Sequence, residues 1–510
     1  MTKAKTKYTL FTNKALAFLI IPIVIESALS MSLGMIDGLM ASYAKSGAGD
    51  DILTAITDVD QISSLLIQLF SAFGVGGAVI TSQYLGAGKT EEANQSAKQL
   101  VVMMLIISVV LTALCLGLNH QIINLLFGSA GENTRDNAYI YFYIRAASFP
   151  FLAVFNSCAA LLRAQRKSMN TMLSGVISFF LNIGFNALFI YAFQMGIAGV
   201  ALGTLLARVF PAFFTLFLMT RKGNLVRIKI FEKFRFNGPQ LKKILKLGVP
   251  SGVENSLFQL GKIFVIVFIS VTSYNVIVNG EITNYETAAN SVAYNINMIS
   301  SIVGNGINTS ILTVIGQAVG VGDIGQVKYY IKKMLLISYA GNAACVAVTF
   351  ALSPVLLNFY NISGEARDIA WRCLIMCLSL QFVTYPLSFG LPAVLKANSD
   401  MKFVMIAAIT SMLLMRVGLC YILTCDWVGA HMGAMGLWIG MVSDWAFRGV
   451  LFGARLLSGK WKKSSGLLRD DPSPALALAP ECAPECAPAP APTPAPNEET
   501  KEDEDVQTNV

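Results

Sequence analysis

Apolar residues fall along this chain in twelve long runs, with polar residues between them. The runs cover residues 15–43, 59–85, 96–118, 138–162, 168–193, 197–220, 244–272, 287–319, 334–358, 368–394, 401–425 and 432–457. About 20 apolar residues cross a bilayer as an α-helix at 1.5 Å rise per residue, so each run is long enough to span. Helical periodicity within the runs is weak, as it is in helices that are apolar all round. The pattern predicts an all-α polytopic membrane protein with twelve transmembrane helices.

The polar connections set the orientation. With the N-terminus inside, the inner segments hold 27 lysines and arginines, and the outer segments hold four: Lys45, Arg135, Arg367 and Arg372. Positive charge is retained on the cytoplasmic side, so both termini are expected there, in the plasma membrane of the cell. Lys3, Lys5, Lys7 and Lys14 precede a first run too long for a signal-peptide core, which reads as a retained signal anchor.

A basic loop between Arg221 and Lys246 divides the runs six and six, and the halves repeat one another. Pro22-x3-Glu26 recurs in the second half as Pro250-x3-Glu254, and Gln83-x2-Gly86-x-Gly88 recurs there as Gln317-x2-Gly320-x-Gly322. Met195-Gly196-x2-Gly199-x3-Gly203 returns, at nearly the same offset along the chain, as Met432-Gly433-x2-Gly436-x3-Gly440. Six is even, so both halves enter the membrane from the same side. The two six-helix bundles are therefore related by a pseudo-two-fold axis along the membrane normal, with a substrate path between them. The expected units are an N-lobe (1–220), a basic linker (221–243), a C-lobe (244–463) and a tail (464–510). The tail, with its Pro-Ala repeats and acidic end, cannot bury a core and should be disordered, cytoplasmic and dispensable.

Composition narrows the function. The formal charge of +8 divides into −8 from Ser464 onward and +16 before it, and those bases are scattered between spans. They suit lipid head groups and argue against nucleic acid. Seven of nine cysteines lie in or near apolar helices, and Cys482 and Cys486 in the tail have no histidine beside them, so no metal site is expected. There is no Walker-type loop, paired membrane-depth histidine or close acid pair, which argues against an ATP-driven pump and against an enzyme such as an intramembrane transferase.

The residues that could carry a mechanism are the polar ones at membrane depth. In the N-lobe these are Glu26, Asp37, Asn182, Asn186, Thr204 and Arg208. Asn182 and Asn186, like Thr204 and Arg208, stand four apart and share a helix face. Oxygens of Asp37, the asparagines and Thr204 could converge on a proton or on Na+. The asparagines alone read as interhelical hydrogen bonds, whereas an acid at membrane depth is costly enough to point to function. Pro22 removes a backbone donor in the helix that bears Glu26 and Asp37 and reads as its hinge. The C-lobe holds Glu254, Lys262, Arg416, Asp444 and Arg448. Asp444 and Arg448, four apart, read as a structural ion pair. Glu26 and Glu254, each four past a proline, read as repeat-equivalent gating or packing residues, and Arg208 and Lys262 as gating or cavity residues.

These residues resemble the multidrug and toxic compound extrusion (MATE) family over about residues 10 to 460. Met35-Ile-Asp-Gly38 resembles the family's first-helix acidic motif, Gln83-Tyr-Leu-Gly-Ala-Gly-Lys-Thr-Glu-Glu-Ala93 its signature after helix 2, Leu161-Leu-Arg-Ala-Gln-Arg-Lys-Ser168 the connection before helix 5, and Gly196-Ile-Ala-Gly-Val-Ala-Leu-Gly-Thr204 the start of helix 6. The resemblance implies a monomeric secondary-active antiporter that exports organic, amphipathic small molecules by alternating access. It implies no cofactor beyond a coupling H+ or Na+, and a cation site at Asp37, Asn182 and Thr204. Asn186 stands where many members carry a second acid, which favours H+ over Na+. Phe258 stands where some members carry an acid in helix 7, which speaks against a C-lobe ion site. The runner-up is a lipid-linked oligosaccharide flippase of the same superfamily, whose anionic head group would suit the intramembrane bases.

Overall fold

The computed structural model describes residues 10–42, 49–127, 131–228, 235–272, 276–278, 281–283, 285–360, 362–424 and 432–468. The tail beyond Leu468, with Cys482 and Cys486, lies outside them. The twelve runs fold as twelve helical passes: α1 (Asn13–Ser42), α2 (Gly49–Gly86), α3 (Thr90–Gly117), α4 (Glu132–Ala147 and Phe149–Ala164, bent by 43°), α5 (Ser168–Ala192) and α6 (Gly196–Thr220). The second six are α7 (Gly238–Thr272), α8 (Tyr285–Ser300 and Ile302–Val321), α9 (Ile324–Phe359), α10 (Gly364–Ala397), α11 (Met401–Thr424) and α12 (Gly433–Leu457). A short antiparallel hairpin, Val276–Val278 with Glu281–Thr283, connects α7 to α8.

Among the described residues, ten passes have the hydropathy of an ordinary span, counting bent α4 as one. The other two, α7 and α12, carry charge inside their apolar runs: Glu254 and Lys262 on one, Asp444, Arg448 and Arg455 on the other. A span that carries such groups must hide them against its neighbours. α1 runs through Pro22 as unbroken helix.

The duplication extends to the backbone. Gly88 and Gly322, closing the two Gln-x2-Gly-x-Gly motifs, take left-handed φ of +72° and +85°. Arg166 and Ser399, which end α4 and α10, take +66° and +65°. Each follows the same helix stop: Lys167 N–H donates to the Leu162 carbonyl at 2.9 Å, and Asp400 N–H to the Leu395 carbonyl at 3.0 Å.

Three apolar cores hold the passes together. One fills the N-lobe around Phe70, Leu100, Met104, Phe142 and Phe149. A second belongs to the C-lobe helices α10 and α12, around Leu374, Leu378 and Trp438. The third joins the lobes: Phe11, Leu16, Leu19 and Ile23 of the α1 region pack with Ile311, Val314, Ile315 and Tyr330 of α8 and α9.

At the end that carries the N-terminus and the basic linker, the repeated motifs meet each other. Gln83 Nε2 donates to the Ala397 carbonyl (2.8 Å) and Ser399 Oγ (3.1 Å) across the lobes. Symmetrically, Gln317 Nε2 donates to the Ala164 carbonyl (2.8 Å), and the Arg166 guanidinium donates twice to Gln317 Oε1 at 2.8 and 2.6 Å. Between them, Gly86 lies against the Gln317 backbone and Gly320 against the Gln83 backbone, so close that a Cβ on either would enter the opposing carbonyl. Phe11 N–H donates to Tyr330 Oη at 2.7 Å and Lys333 Nζ to Asn13 Oδ1 at 2.6 Å, which clasps the N-terminal segment onto the C-lobe. The bundle is closed at its basic end.

Candidate transport site

The prolines within α1 and α7 are each followed one turn later by a glutamate, and the fold gives both glutamates the same kind of partner. Glu26 Oε1 lies 2.8 Å from Arg163 Nη1 at the end of α4, and Glu26 Oε2 accepts from Thr171 Oγ1 at 2.8 Å. Glu254 lies 2.8 Å from Lys396 Nζ at the end of α10. Arg163 and Lys396 are themselves repeat-equivalent, since each stands in the last turn of its helix just ahead of the left-handed residue, Arg166 or Ser399. Each pair ties the motif before α5 or α11 to the helix that bears the proline.

Deeper in the N-lobe, α1, α2, α4, α5 and α6 bring a second set of polar groups together. Asp37 is 3% exposed and lies roughly 36 Å along α1 from its start, towards the end opposite the closure. Asn186 Nδ2 donates to Asp37 Oδ1 at 2.7 Å and reaches Asn182 Oδ1 at 3.3 Å. Both asparagines are fully buried. Asn186 sits where it does because residue 203 on α6 is glycine: a Cβ there would collide with the Asn186 amide. Directly beyond, Leu188–Ala192 widens into a π-turn, a distortion common at functional positions. Thr204, the residue after Gly203 on α6, is buried, but its hydroxyl donates to the Val200 carbonyl of its own helix at 3.0 Å. The fold thus joins Asp37, Asn182 and Asn186 by hydrogen bonds, with Thr204 bonded within its helix.

Arg208 donates to Ser148 Oγ at 2.7 Å, at the bend of α4. Beside it lies an ion pair that sequence inspection passed over: Arg145 Nη2 to Asp60 Oδ1, 2.9 Å. The available signal was Arg145 itself, a guanidinium inside an apolar run that requires a carboxylate from another helix. Among the described residues, the N-lobe therefore balances three acids at membrane depth (Glu26, Asp37, Asp60) with three bases (Arg145, Arg163, Arg208).

The C-lobe is built differently. Asp444 is fully buried on α12, accepts from Ser411 Oγ at 2.6 Å, and lies 3.0 Å from Arg448 Nη2 and 3.2 Å from Arg416 Nη2. The expected Asp444–Arg448 pair exists, but a second arginine shares the carboxylate. Arg416 arrives there because α11 opens into a π-helical stretch, Met412–Leu419, that shifts the register of its face. Both guanidinium groups stack on the Phe258 ring, Arg416 at 4.7 Å and Arg448 at 5.0 Å from its centroid, and Lys262 Nζ lies 5.3 Å from the same centroid and 5.7 Å from that of Tyr294. Three cations round one ring stand within about 10 Å of one another, where like charges repel by about 1.5–2 kcal/mol at an effective dielectric of ~20, against a cation–π gain of about 0.5–2 kcal/mol each.

Comparison with known proteins places the chain among transporters. The family model described as MatE matches it twice, over residues 22–188 and 250–422, once in each lobe. An uncharacterized transporter of Bacillus subtilis, YisQ, is 25% identical over 448 residues, covering 86% of this chain and 93% of the relative. A probable multidrug resistance protein, NorM, of Thermotoga maritima is 23% identical over 485 residues, covering 91% and 98%. A solved outward-facing structure of a MATE-family multidrug resistance transporter superposes with a TM-score of 0.77 at 23% identity, covering 88% of this chain and 96% of that one.

Proposed function

Because the chain belongs to the MatE family of multidrug and toxic compound extrusion transporters, we propose that it is a secondary-active antiporter that exports small organic molecules by alternating access, with a proton carried on Asp37. It acts as a monomer in the plasma membrane, its termini and basic closed end cytoplasmic, in keeping with the lysine and arginine distribution. The present conformation is then closed to the cytoplasm. Multidrug resistance proteins among its relatives support export of amphipathic drugs as the physiological task.

The observation that carries this reading is the Asp37–Asn186–Asn182 cluster. A carboxylate held away from water in the bilayer is costly when ionised, and the neutral acid can pack and hydrogen-bond instead. Protonation therefore gives Asp37 two states of different solvation, on a helix whose proline can convert the difference into shape. A proton suits these residues better than Na+. The place a cation would take beside Asp37 Oδ1 is filled by an amide N–H, Thr204 Oγ1 is turned to its own helix, and the cluster has one carboxylate.

The test is export by purified protein in vesicles under an imposed pH gradient or Na+ gradient alone. Export in the pH gradient without Na+ is the expected outcome; export in the Na+ gradient and none in the pH gradient would refute the proton. Asn186→Asp exchanges the N–H donor for a second carboxylate. It should introduce Na+ dependence that the unaltered chain lacks, read as Na+-stimulated export at constant pH. The competing flippase reading predicts scrambling of a lipid-linked sugar without either gradient.

A further inference from the structure

The basic cluster in the C-lobe lies in the other lobe from the Asp37 site, and among the described residues its charge is not balanced from within. Among the described residues, the intramembrane charges of this lobe are Glu254, Asp400 and Asp444 against Lys262, Lys396, Arg416, Arg448 and Arg455. Lys396 is taken up by Glu254 and Arg455 by Asp400, at 2.8 Å each. That leaves Asp444 as the single carboxylate for Arg416 and Arg448, with Lys262 resting on aromatic faces. Glu286, the carboxylate of α8, sits at the far end of that helix beside Gly433. Arg416 and Arg448 are 3% and 4% exposed, and among the described residues the Nε of each has no hydrogen-bond acceptor. Lys262 and Phe258 are half-buried rather than sealed.

Two buried guanidinium groups that share one carboxylate and keep unpartnered N–H donors, collected round one aromatic ring, constitute a site for an anion attached to an apolar body. We propose that Lys262, Arg416 and Arg448, with Phe258 as the stacking surface, bind the anionic group of the transported molecule, so that the substrates of this chain are amphipathic aromatic anions. The lobes then divide the work: the balanced N-lobe holds the coupling proton, and the C-lobe, with two unmatched positive charges, holds the substrate. Arg416 and Arg448 are fixed by Asp444 and Ser411, so they present charge without reorganising. Lys262 is the mobile member, able to swing from the two rings onto the bound anion. This inference rests on the exporter reading only for the word substrate; the binding site itself is tested without any gradient.

The experiment uses the purified full chain in nanodiscs of zwitterionic lipid and three ligands of one shape, 1-naphthoate, 1-naphthamide and 1-naphthylmethylammonium, titrated by calorimetry. Naphthoate should bind about tenfold more tightly than the neutral amide, and the ammonium most weakly. Lys262→Gln should remove most of the difference between naphthoate and naphthamide while leaving naphthamide binding in place. Lys262→Glu should favour the ammonium. An Arg448→Gln chain that folds should likewise lose the preference; Lys262, being half-buried, serves where that chain does not fold. In discs containing phosphatidylglycerol, loss of naphthoate binding that Lys262→Gln abolishes would keep the anion site and assign its occupant to a lipid head group. Equal binding of naphthoate and naphthamide, tightest binding of the ammonium, or an equal effect of Lys262→Gln on all three ligands would overturn the proposal. Gradient-driven export of organic cations alongside any of these results would leave the exporter reading intact and remove only the anion site.

Discussion

Alanine at Gly320, or at its counterpart Gly86, should hold the basic face of the transporter open. At both positions the opposing group is a backbone carbonyl, Gln83 for Gly320 and Gln317 for Gly86, which cannot rotate away as a side chain can. Closing over an added methyl group requires α2 and α8 to separate, which also stretches the cross-lobe hydrogen bonds made by Gln83 and Gln317. Overpacking of this kind costs about 1–3 kcal/mol, and a cost that falls on one of two states shifts their ratio by about 5–150-fold. Hydrogen exchange reads the outcome directly: residues 83–90 and 317–323 should lose protection in either variant while the N-lobe core around Leu100 and Phe142 keeps it, and export should fall in proportion. Gly88→Ala is the control. Its φ is left-handed, so alanine costs stability, but no atom lies within 4 Å of the new methyl group. Equal loss of protection in all three variants would mean that the glycines serve helix endings and not the closure.

The repeated Gln-x2-Gly-x-Gly was visible as a duplication, and the even number of runs implied that its copies face one another across an axis along the membrane normal. What periodicity could not tell is that the two copies touch, because contact between α2 and α8 depends on the tilt of passes that are apolar all round. The same limit hid the partners of the buried charges. Glu26 and Arg163 come from α1 and α4, and Asp60 and Arg145 from α2 and α4, so nothing in local spacing links either pair. Asp444 and Arg448 were legible as a pair because they are four apart on one helix. Arg416 was not legible as their third member, since only the π-helical stretch in α11 turns it onto Phe258. Asn182 and Asn186 were placed on one face by spacing alone, and their meeting with Asp37 follows once α1 packs against α5. Thr204 shared their depth, yet its hydroxyl had a nearer acceptor one turn back, which is the usual competitor for a threonine within a helix.

Asp37→Asn should fold, insert and lose coupling. The asparagine amide keeps the size of the carboxyl group and can exchange hydrogen bonds with Asn186 and Asn182, so the packing between α1 and α5 survives. The substitution removes the one property the mechanism needs, a group whose charge changes as the site is exposed first to one solution and then to the other. A pH difference of one unit is worth about 1.4 kcal/mol per proton, enough for a roughly tenfold accumulation of substrate where one proton exchanges for one molecule. The variant should bring that ratio down to one in vesicles with an imposed pH gradient, while the binding constant of the substrate at equilibrium changes little. Asp37→Glu should retain part of the accumulation, because it keeps the titrating group and only displaces it by a methylene. The same comparison in the background of Glu26→Gln separates the two acids of α1. Glu26 is already held by Arg163 and Thr171, so its loss should lower stability through an unpaired guanidinium and leave the accumulation ratio of the folded fraction near tenfold. Normal accumulation by Asp37→Asn, with none by Glu26→Gln, would move the coupling carboxylate to Glu26 and make the Asp37–Asn186 bond a packing contact.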